Sequence, residues 1–166
     1  MEIFLEEFFA ILPDTRQFMR LMIRLPIAVL IGAVIGLQRE RIHKPAGLKT
    51  HMLVALGGAL FVLGPIEFGM DADDLSRIIQ GIVTGIGFLG GGAILKIQEQ
   101  REIEGLTSAA GIWMTAAMGI AAGLGRVGLA LITLIMTWGI LSLAAVIDSR
   151  AAARQQANGK DTETRN

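Results

Sequence analysis

Long apolar runs separated by short polar segments are the main pattern along the chain. Five runs carry few charged residues and approach the length of roughly 20 helical residues that a bilayer core requires. They cover residues 21–37, 52–68, 78–95, 105–125 and 127–147. The last two runs meet at Arg126, where flanking glycines predict a tight turn. The pattern therefore predicts an all-α fold, a polytopic membrane bundle of about five transmembrane helices within residues 15–149.

The two ends of the chain lack such runs. In residues 1–14, an N-terminal interfacial segment, Glu2–Leu12 are predicted to form a short helix in the membrane interface, because this length does not span a bilayer. Its acidic start leads us to expect no cleaved signal peptide. Asp14 and Gln17 have the spacing of a capping box, which predicts a helix start near Thr15. Residues 150–166 are polar and are predicted to form a disordered cytoplasmic tail.

The basic residues predict an orientation in a bacterial inner membrane. Residues 38–50, 96–104 and the tail would lie on one side of five spans and carry ten Lys and Arg residues, against five on the other side. Because the side richer in Lys and Arg faces the cytoplasm, the N-terminus is expected outside and the C-terminus inside. The net charge is zero, so no nucleic-acid partner is indicated. The lipid bilayer is the expected surrounding.

Two loops end in similar sequences. Gly47-Leu48-Lys49-Thr50 opens the second span and Gly105-Leu106-Thr107-Ser108 opens the fourth. The similarity fits a parallel internal repeat of two helical hairpins, related by an axis along the membrane normal. Short glycine-bounded membrane hairpins also resemble one another through composition alone, and both interpretations stand.

Glycines recur at a spacing of four within the spans. Residues 85–90 match the dinucleotide motif GxGxxG, but they lie inside a span rather than after a strand, so phosphate binding is disfavoured. Small residues four apart favour close helix packing in membranes. A further alternative is that residues 90–92 break the helix and line a cavity. The glycines predicted to pack helices are Gly32, Gly36, Gly81, Gly85, Gly87, Gly91, Gly119 and Gly123.

Charged and polar residues cluster at the predicted cytoplasmic ends of the spans. One interpretation is membrane anchoring with a local ion pair between Glu40 and an adjacent arginine; the other is an anion or partner site that includes the amides opening the second span. His51 is either a hydrogen-bonded structural residue or a group that titrates near neutral pH. The candidate residues here are Arg39, Glu40, Arg41, Lys49, Thr50, His51 and Thr107.

A second polar cluster lies on the predicted outer side. Asp73 or Asp74 is expected to cap the third span, with Arg77 one turn later. The alternative is that these carboxylates, with Asp71, attract a weakly bound divalent cation near Gln80 and Thr84. No dedicated metal site or cofactor is predicted. The chain also has no GxSxG or HExxH motif and no intramembrane carboxylate pair, so an enzyme is not expected.

Four sequence blocks follow one another in a recognisable order. They are Ile35-Gly36-Leu37-Gln38-Arg39-Glu40-Arg41, then Ala46 to Val54, then Ser76-Arg77 leading into Gly85 to Gly92, then Gly105 to Ala110 with Trp113. Together they resemble the membrane domain of the MgtC/SapB/SrpB/YhiD family over about residues 20–147. Small departures from the family pattern occur at Gln38, Lys49 and Ser108.

The resemblance implies a bacterial multi-pass inner-membrane protein linked to magnesium-limited growth, virulence inside host cells and membrane energetics, including modulation of ATP synthase. Many members carry a soluble C-terminal domain, which this chain is expected to lack. The first hypothesis is a regulatory protein that contacts another membrane complex or forms a homo-oligomer. The second is a small ion or solute transporter whose path involves the glycine-rich spans, Gln80, Thr84 and His51.

Overall fold

Five helices and one short hairpin make up the structure, a computed structural model that describes residues 14–97 and 102–163. The hairpin pairs β1 and β2 antiparallel, with Leu95 opposite Glu104 and Ile97 opposite Glu102. The elements in chain order are α1 (Thr15–Arg41), α2 (Leu48–Glu67), α3 (Ala72–Ala93), β1 (Leu95–Ile97), β2 (Glu102–Glu104), α4 (Leu106–Gly123) and α5 (Val127–Glu163).

The predicted helical bundle is confirmed. Four of the five helices are long and apolar enough to cross a membrane: α1, α2, α4 and residues 127–147 of α5. The 22-residue α3 covers most of the predicted third span, but it is not among these four. Its sequence includes Arg77 and Gln80 and many glycines, which lower its hydropathy. The chain is therefore a multi-pass membrane protein with at least one helix of mixed character.

The predicted helix boundaries agree with the structure at two places. Asp14 accepts a hydrogen bond from the Thr15 amide at 2.7 Å and its own amide donates to Gln17 Oε1 at 3.0 Å, which confirms the capping box and the start at Thr15. The turn at Arg126 is also confirmed, since α4 ends at Gly123 and α5 begins at Val127. Gly125 adopts a φ of +77° in this turn, a conformation that glycine tolerates best.

Three expectations differ from the structure. The helix α3 continues through Gly90–Gly92 to Ala93, so the alternative of a helix break at these glycines is wrong. The loop expected at residues 96–104 contains strand residues of a short hairpin, and Gly105 turns the chain from the hairpin into α4 with a φ of +99°. The helix α5 extends to Glu163, because Ala and Gln in the predicted disordered tail are good helix formers. The predicted interfacial helix Glu2–Leu12 lies outside the described residues.

The core forms where α2 lies between α1 and α4. Ala28 and Ile35 from α1, Ala59 from α2 and Ala122 from α4 are fully buried. At this core the helices approach backbone to backbone, and α5 covers the opposite side of α1 and α4 with Ala130 and Leu141. The helix α3 is peripheral: Gly90 is its one buried residue among those described. The bundle therefore has a tightly packed centre and one loosely covered helix.

Candidate functional site

Arg39 is buried near the end of α1, where α2 and α4 begin. Its side chain is 2% exposed, and Nη2 donates a hydrogen bond to Ser108 Oγ of α4 at 3.0 Å. Its Nε is buried and has no hydrogen-bond partner among the described residues. The described ion pair of the chain is elsewhere, between Arg20 and Glu67 at 3.0 Å. Arg39 is thus a buried cation that makes one hydrogen bond to a neutral group.

Glu40 does not neutralise its arginine neighbours as the sequence suggested. Its Oε2 accepts a hydrogen bond from the Leu48 amide at 2.7 Å, which satisfies a free donor at the start of α2. The negative charge also lies at the positive end of that helix. Glu40 therefore occupies the α2 amides that the sequence suggested for an anion. Arg41 and Lys49 are exposed, as are Thr50 and Thr107.

His51 lies fully buried between α2 and α4. Its Nδ1 is 2.7 Å from Thr115 Oγ1, and the Thr115 hydroxyl is also 2.9 Å from the Gly111 carbonyl oxygen. When this hydroxyl donates to the carbonyl, His51 Nδ1 carries the proton that bonds to Thr115. The ring also needs the space beside Gly111, where an added Cβ would lie 3.4 Å from His51 Cε1.

Ser108, Gly111 and Thr115 contact Arg39 or His51 and were not among the candidate residues predicted from the sequence. They stand three and four residues apart, so they share one face of α4 and present polar groups to Arg39 and His51. The signal was available in this spacing of small and hydroxyl residues. Only the contact between α1, α2 and α4 reveals which partners they serve.

The polar cluster at the start of α3, which was predicted to lie on the outer side, differs in detail from its prediction. Asp71 caps α3, accepting hydrogen bonds from the amides of Asp73 and Asp74 at 2.9 and 3.0 Å, so the expected cap at Asp73 or Asp74 is wrong. Both follow Asp71 into the first turn, where they are exposed, as is Arg77. Within the described chain, no group of three or more His, Cys, Asp or Glu residues could hold a metal ion.

The two polar residues of α3 lie away from His51. Gln80 and Thr84 are both exposed, and Thr84 Oγ1 donates to the Gln80 carbonyl at 3.0 Å. His51 is buried against α4 instead. The structure therefore does not bring together the three polar positions of the transport hypothesis.

The glycines fall into two groups. A Cβ on Gly36 would lie 2.6 Å from Leu48 Cα, and one on Gly119 would lie 2.8 Å from Ala55 Cα. Gly32 and Gly123 make equally close approaches to the α2 backbone. In α3, by contrast, a Cβ on Gly81, Gly85, Gly87 or Gly91 would meet no atom within 4 Å.

An apolar groove of about 480 Å³ runs between α2 and α3. We call it the α3 groove; its lining is Phe61, Ile78, Gly81, Ile82, Gly85, Ile86 and Leu89. Gly81 and Gly85 line it four residues apart, and an added Cβ on either would meet no atom of the described residues within 4 Å. The glycine spacing expected to join helices thus opens onto the groove.

Comparisons with known proteins place the chain in one family. The model of the MgtC family matches residues 25–150. Protein SrpB of Synechococcus elongatus is 46% identical over 68% of this chain and 69% of its own length. YhiD of Escherichia coli K12, named as a candidate magnesium transporter, is 40% identical over 73% of this chain and 59% of its own length.

Protein MgtC of Salmonella typhimurium is 42% identical over 60% of this chain and 41% of its own length. Several relatives are therefore longer than the part that this chain matches. No solved structure matches the chain. The family model covers the helices that carry Arg39, His51, Ser108 and Thr115, and the predicted resemblance is confirmed. The chain belongs to the MgtC family.

Proposed function

We propose that this protein is a regulatory protein of a bacterial inner membrane that acts by binding a transmembrane helix of another membrane protein. The α3 groove is the observation that carries this proposal. Glycines four residues apart let two helices approach closely in a bilayer, where packing drives association. Gly81 and Gly85 offer this spacing within an apolar groove that the described part of the chain leaves open.

The outward side of α3 supports the same proposal. Arg77, Gln80, Thr84 and Phe88 recur at helical spacing and are all exposed, Phe88 to 85%. Polar side chains facing hydrocarbon are costly, and such residues in membrane helices usually face protein or a water-filled cavity. A partner helix beside α3 would remove them from lipid. The family resemblance supports a regulatory link to magnesium-limited growth or membrane energetics.

Substitution of Gly81 by Leu tests the groove. We expect the leucine side chain of Gly81→Leu to fill the groove. In a strain whose own gene for this protein is deleted, the variant should fail to support growth at low magnesium, and the partner should no longer co-purify with it. Gly139→Leu is the matched control, because Gly139 is a helical glycine of α5 whose added Cβ also meets nothing within 4 Å. Equal behaviour of the two variants in both measurements would refute the proposal. Capture of a second copy alone would identify a homo-oligomer instead.

Magnesium transport is the second candidate, and the name of YhiD supports it. A carrier needs a path lined by polar groups, whereas Gln80 and Thr84 are exposed on α3 and His51 is buried between α2 and α4. The test is magnesium flux into liposomes that contain the purified protein. Flux by the parent, with equal flux by Gly81→Leu, would favour transport over regulation through the groove.

We also propose that the Arg39 end of the bundle faces the cytoplasm. The excess of basic residues on that side supports this orientation. The chain contains no cysteine, so a label on a single introduced cysteine reports the side of the membrane on which that residue lies. In intact cells stripped of their outer membrane, a membrane-impermeant maleimide should label Asp73→Cys and leave Lys49→Cys unlabelled until the membrane is opened. Labelling in the opposite order would reverse the orientation.

A further inference from the structure

A groove opens beside Arg39, between the end of α1, the start of α4 and α5. It has a volume of about 260 Å³. Arg39, Lys44 and Thr107 form its polar side, and Leu141 and Ala144 of α5 form its apolar side. We call it the Arg39 groove. Its walls therefore present cationic and hydroxyl groups opposite aliphatic side chains.

Among the described residues, no acidic side chain forms an ion pair with Arg39. Arg39 is buried, with 2% of the residue exposed, and the described hydrogen bond of its guanidinium goes to the neutral Ser108. Its buried Nε has no partner among the described residues, and the neighbouring Glu40 bonds to the Leu48 amide instead. Buried charges are normally paired, because an isolated one is costly to keep out of water. An anion in the groove would supply the missing charge.

The surroundings of the groove add to its positive potential. Lys44 lies at its rim, and α4 begins beside it at Gly105, which provides no side-chain cap for the free amides of the first turn. The N-terminal end of a helix attracts anions through these amides and through the helix dipole. Thr107, in that first turn, offers a hydroxyl donor. Arg39, Lys44 and the start of α4 thus converge on one small volume.

A second groove continues from the Arg39 groove along the apolar part of the bundle. It has a volume of about 460 Å³, lies between α1 and α5, and shares Ile42 and Ala145 with the Arg39 groove. Val34, Leu37 and Trp138 line it along the membrane-spanning part of the two helices, and Arg41 lies at its end. A free inorganic anion would leave this apolar extension empty, whereas an acyl chain would fill it.

We propose that the Arg39 groove binds the phosphate headgroup of an anionic phospholipid, with an acyl chain lying along Leu37 and Trp138. Basic pockets between membrane helices on the cytoplasmic side favour anionic headgroups. The guanidinium binds the phosphate through its fork of donors, and Lys44 and Thr107 bind its outer oxygens. The lipid joins α1, α4 and α5 at this end of the bundle, on the side away from the α3 groove.

Native mass spectrometry of the full chain in detergent tests the proposal. The probes are phosphatidylglycerol, phosphatidylethanolamine and inorganic phosphate. We expect the parent to retain phosphatidylglycerol in preference to phosphatidylethanolamine and to be unaffected by inorganic phosphate. Arg39→Gln should weaken retention of phosphatidylglycerol about tenfold, the loss expected for one charge-assisted contact. Arg126→Gln is the matched control, because this exposed arginine lies in the turn between α4 and α5, and it should retain the lipid fully.

Two more variants keep the test decisive if Arg39→Gln does not fold. Ala144→Phe fills the apolar side of the groove without a change of charge and should also release the lipid. Asp148 is an acidic residue one turn of α5 after Ala144; Asp148→Asn should leave retention undiminished. The proposal would be overturned if the parent retained both lipids equally or if inorganic phosphate displaced phosphatidylglycerol. It would also be overturned if Ala144→Phe retained the lipid fully or if Asp148→Asn lost it.

Discussion

Replacement of Gly119 by Ala is expected to destabilise the bundle more than any other single-methyl change considered for this chain. The added Cβ would overlap the Ala55 carbonyl and lie 2.8 Å from Ala55 Cα, so both neighbouring atoms belong to the α2 backbone. A backbone cannot turn aside as a side chain can, and the two helices must separate. Overpacking of this kind costs about 3 kcal/mol of unfolding free energy. Unfolding of the purified protein by SDS in mixed micelles measures it.

Gly139→Ala is the control for this change. It adds the same methyl group to a helical glycine, but nothing lies within 4 Å of the new atom. Alanine is the better helix former, so this variant should be neutral or more stable by up to about 1 kcal/mol. If Gly119→Ala and Gly139→Ala unfolded at the same SDS fraction, the backbone contact between α2 and α4 would not exist in the membrane protein.

The glycine pairs illustrate how far sequence reasoning can go. The spacing of four predicts that each pair packs a helix, and it gives the same prediction for Gly32 and Gly36 as for Gly81 and Gly85. The structure separates them, because α1 meets α2 along its glycines whereas α3 turns Gly81 and Gly85 towards an open groove. The spacing shows which residues share one face of a helix. It does not show what packs against that face, because this depends on how the helices assemble into the bundle.

The contacts within the candidate site were likewise not predictable from the sequence. Arg39 and Glu40 are adjacent in sequence and were grouped as one charged cluster. Successive helical residues point about 100° apart, so one side chain enters the bundle and the other reaches the start of α2. Ser108 and Thr115 become relevant only when α4 packs against α1 and α2. The helices were predictable from local patterns, whereas these pairs depend on contacts 64 and 69 residues apart in sequence.

Loss of the Thr115 hydroxyl is expected to cost about 2 kcal/mol of unfolding free energy, because Thr115→Val removes the partner of a fully buried histidine while nearly preserving shape. The matched control is Thr133→Val on α5. Thr133 also donates to the carbonyl four residues earlier, at 2.9 Å, but it serves no second polar group among the described residues. We expect that control to change stability by less than about 0.5 kcal/mol, as for other surface substitutions.

A double-mutant cycle with His51→Leu isolates the pair. When His51 is already absent, Thr115→Val removes no partner, so the two substitutions together should cost less than the sum of each alone by about 1–2 kcal/mol. Simple additivity would mean that the 2.7 Å contact between Nδ1 and Oγ1 contributes nothing to stability. A coupling free energy of the expected size would instead identify His51 and Thr115 as the polar link between α2 and α4. These are the same two helices whose backbones are in contact at Gly119.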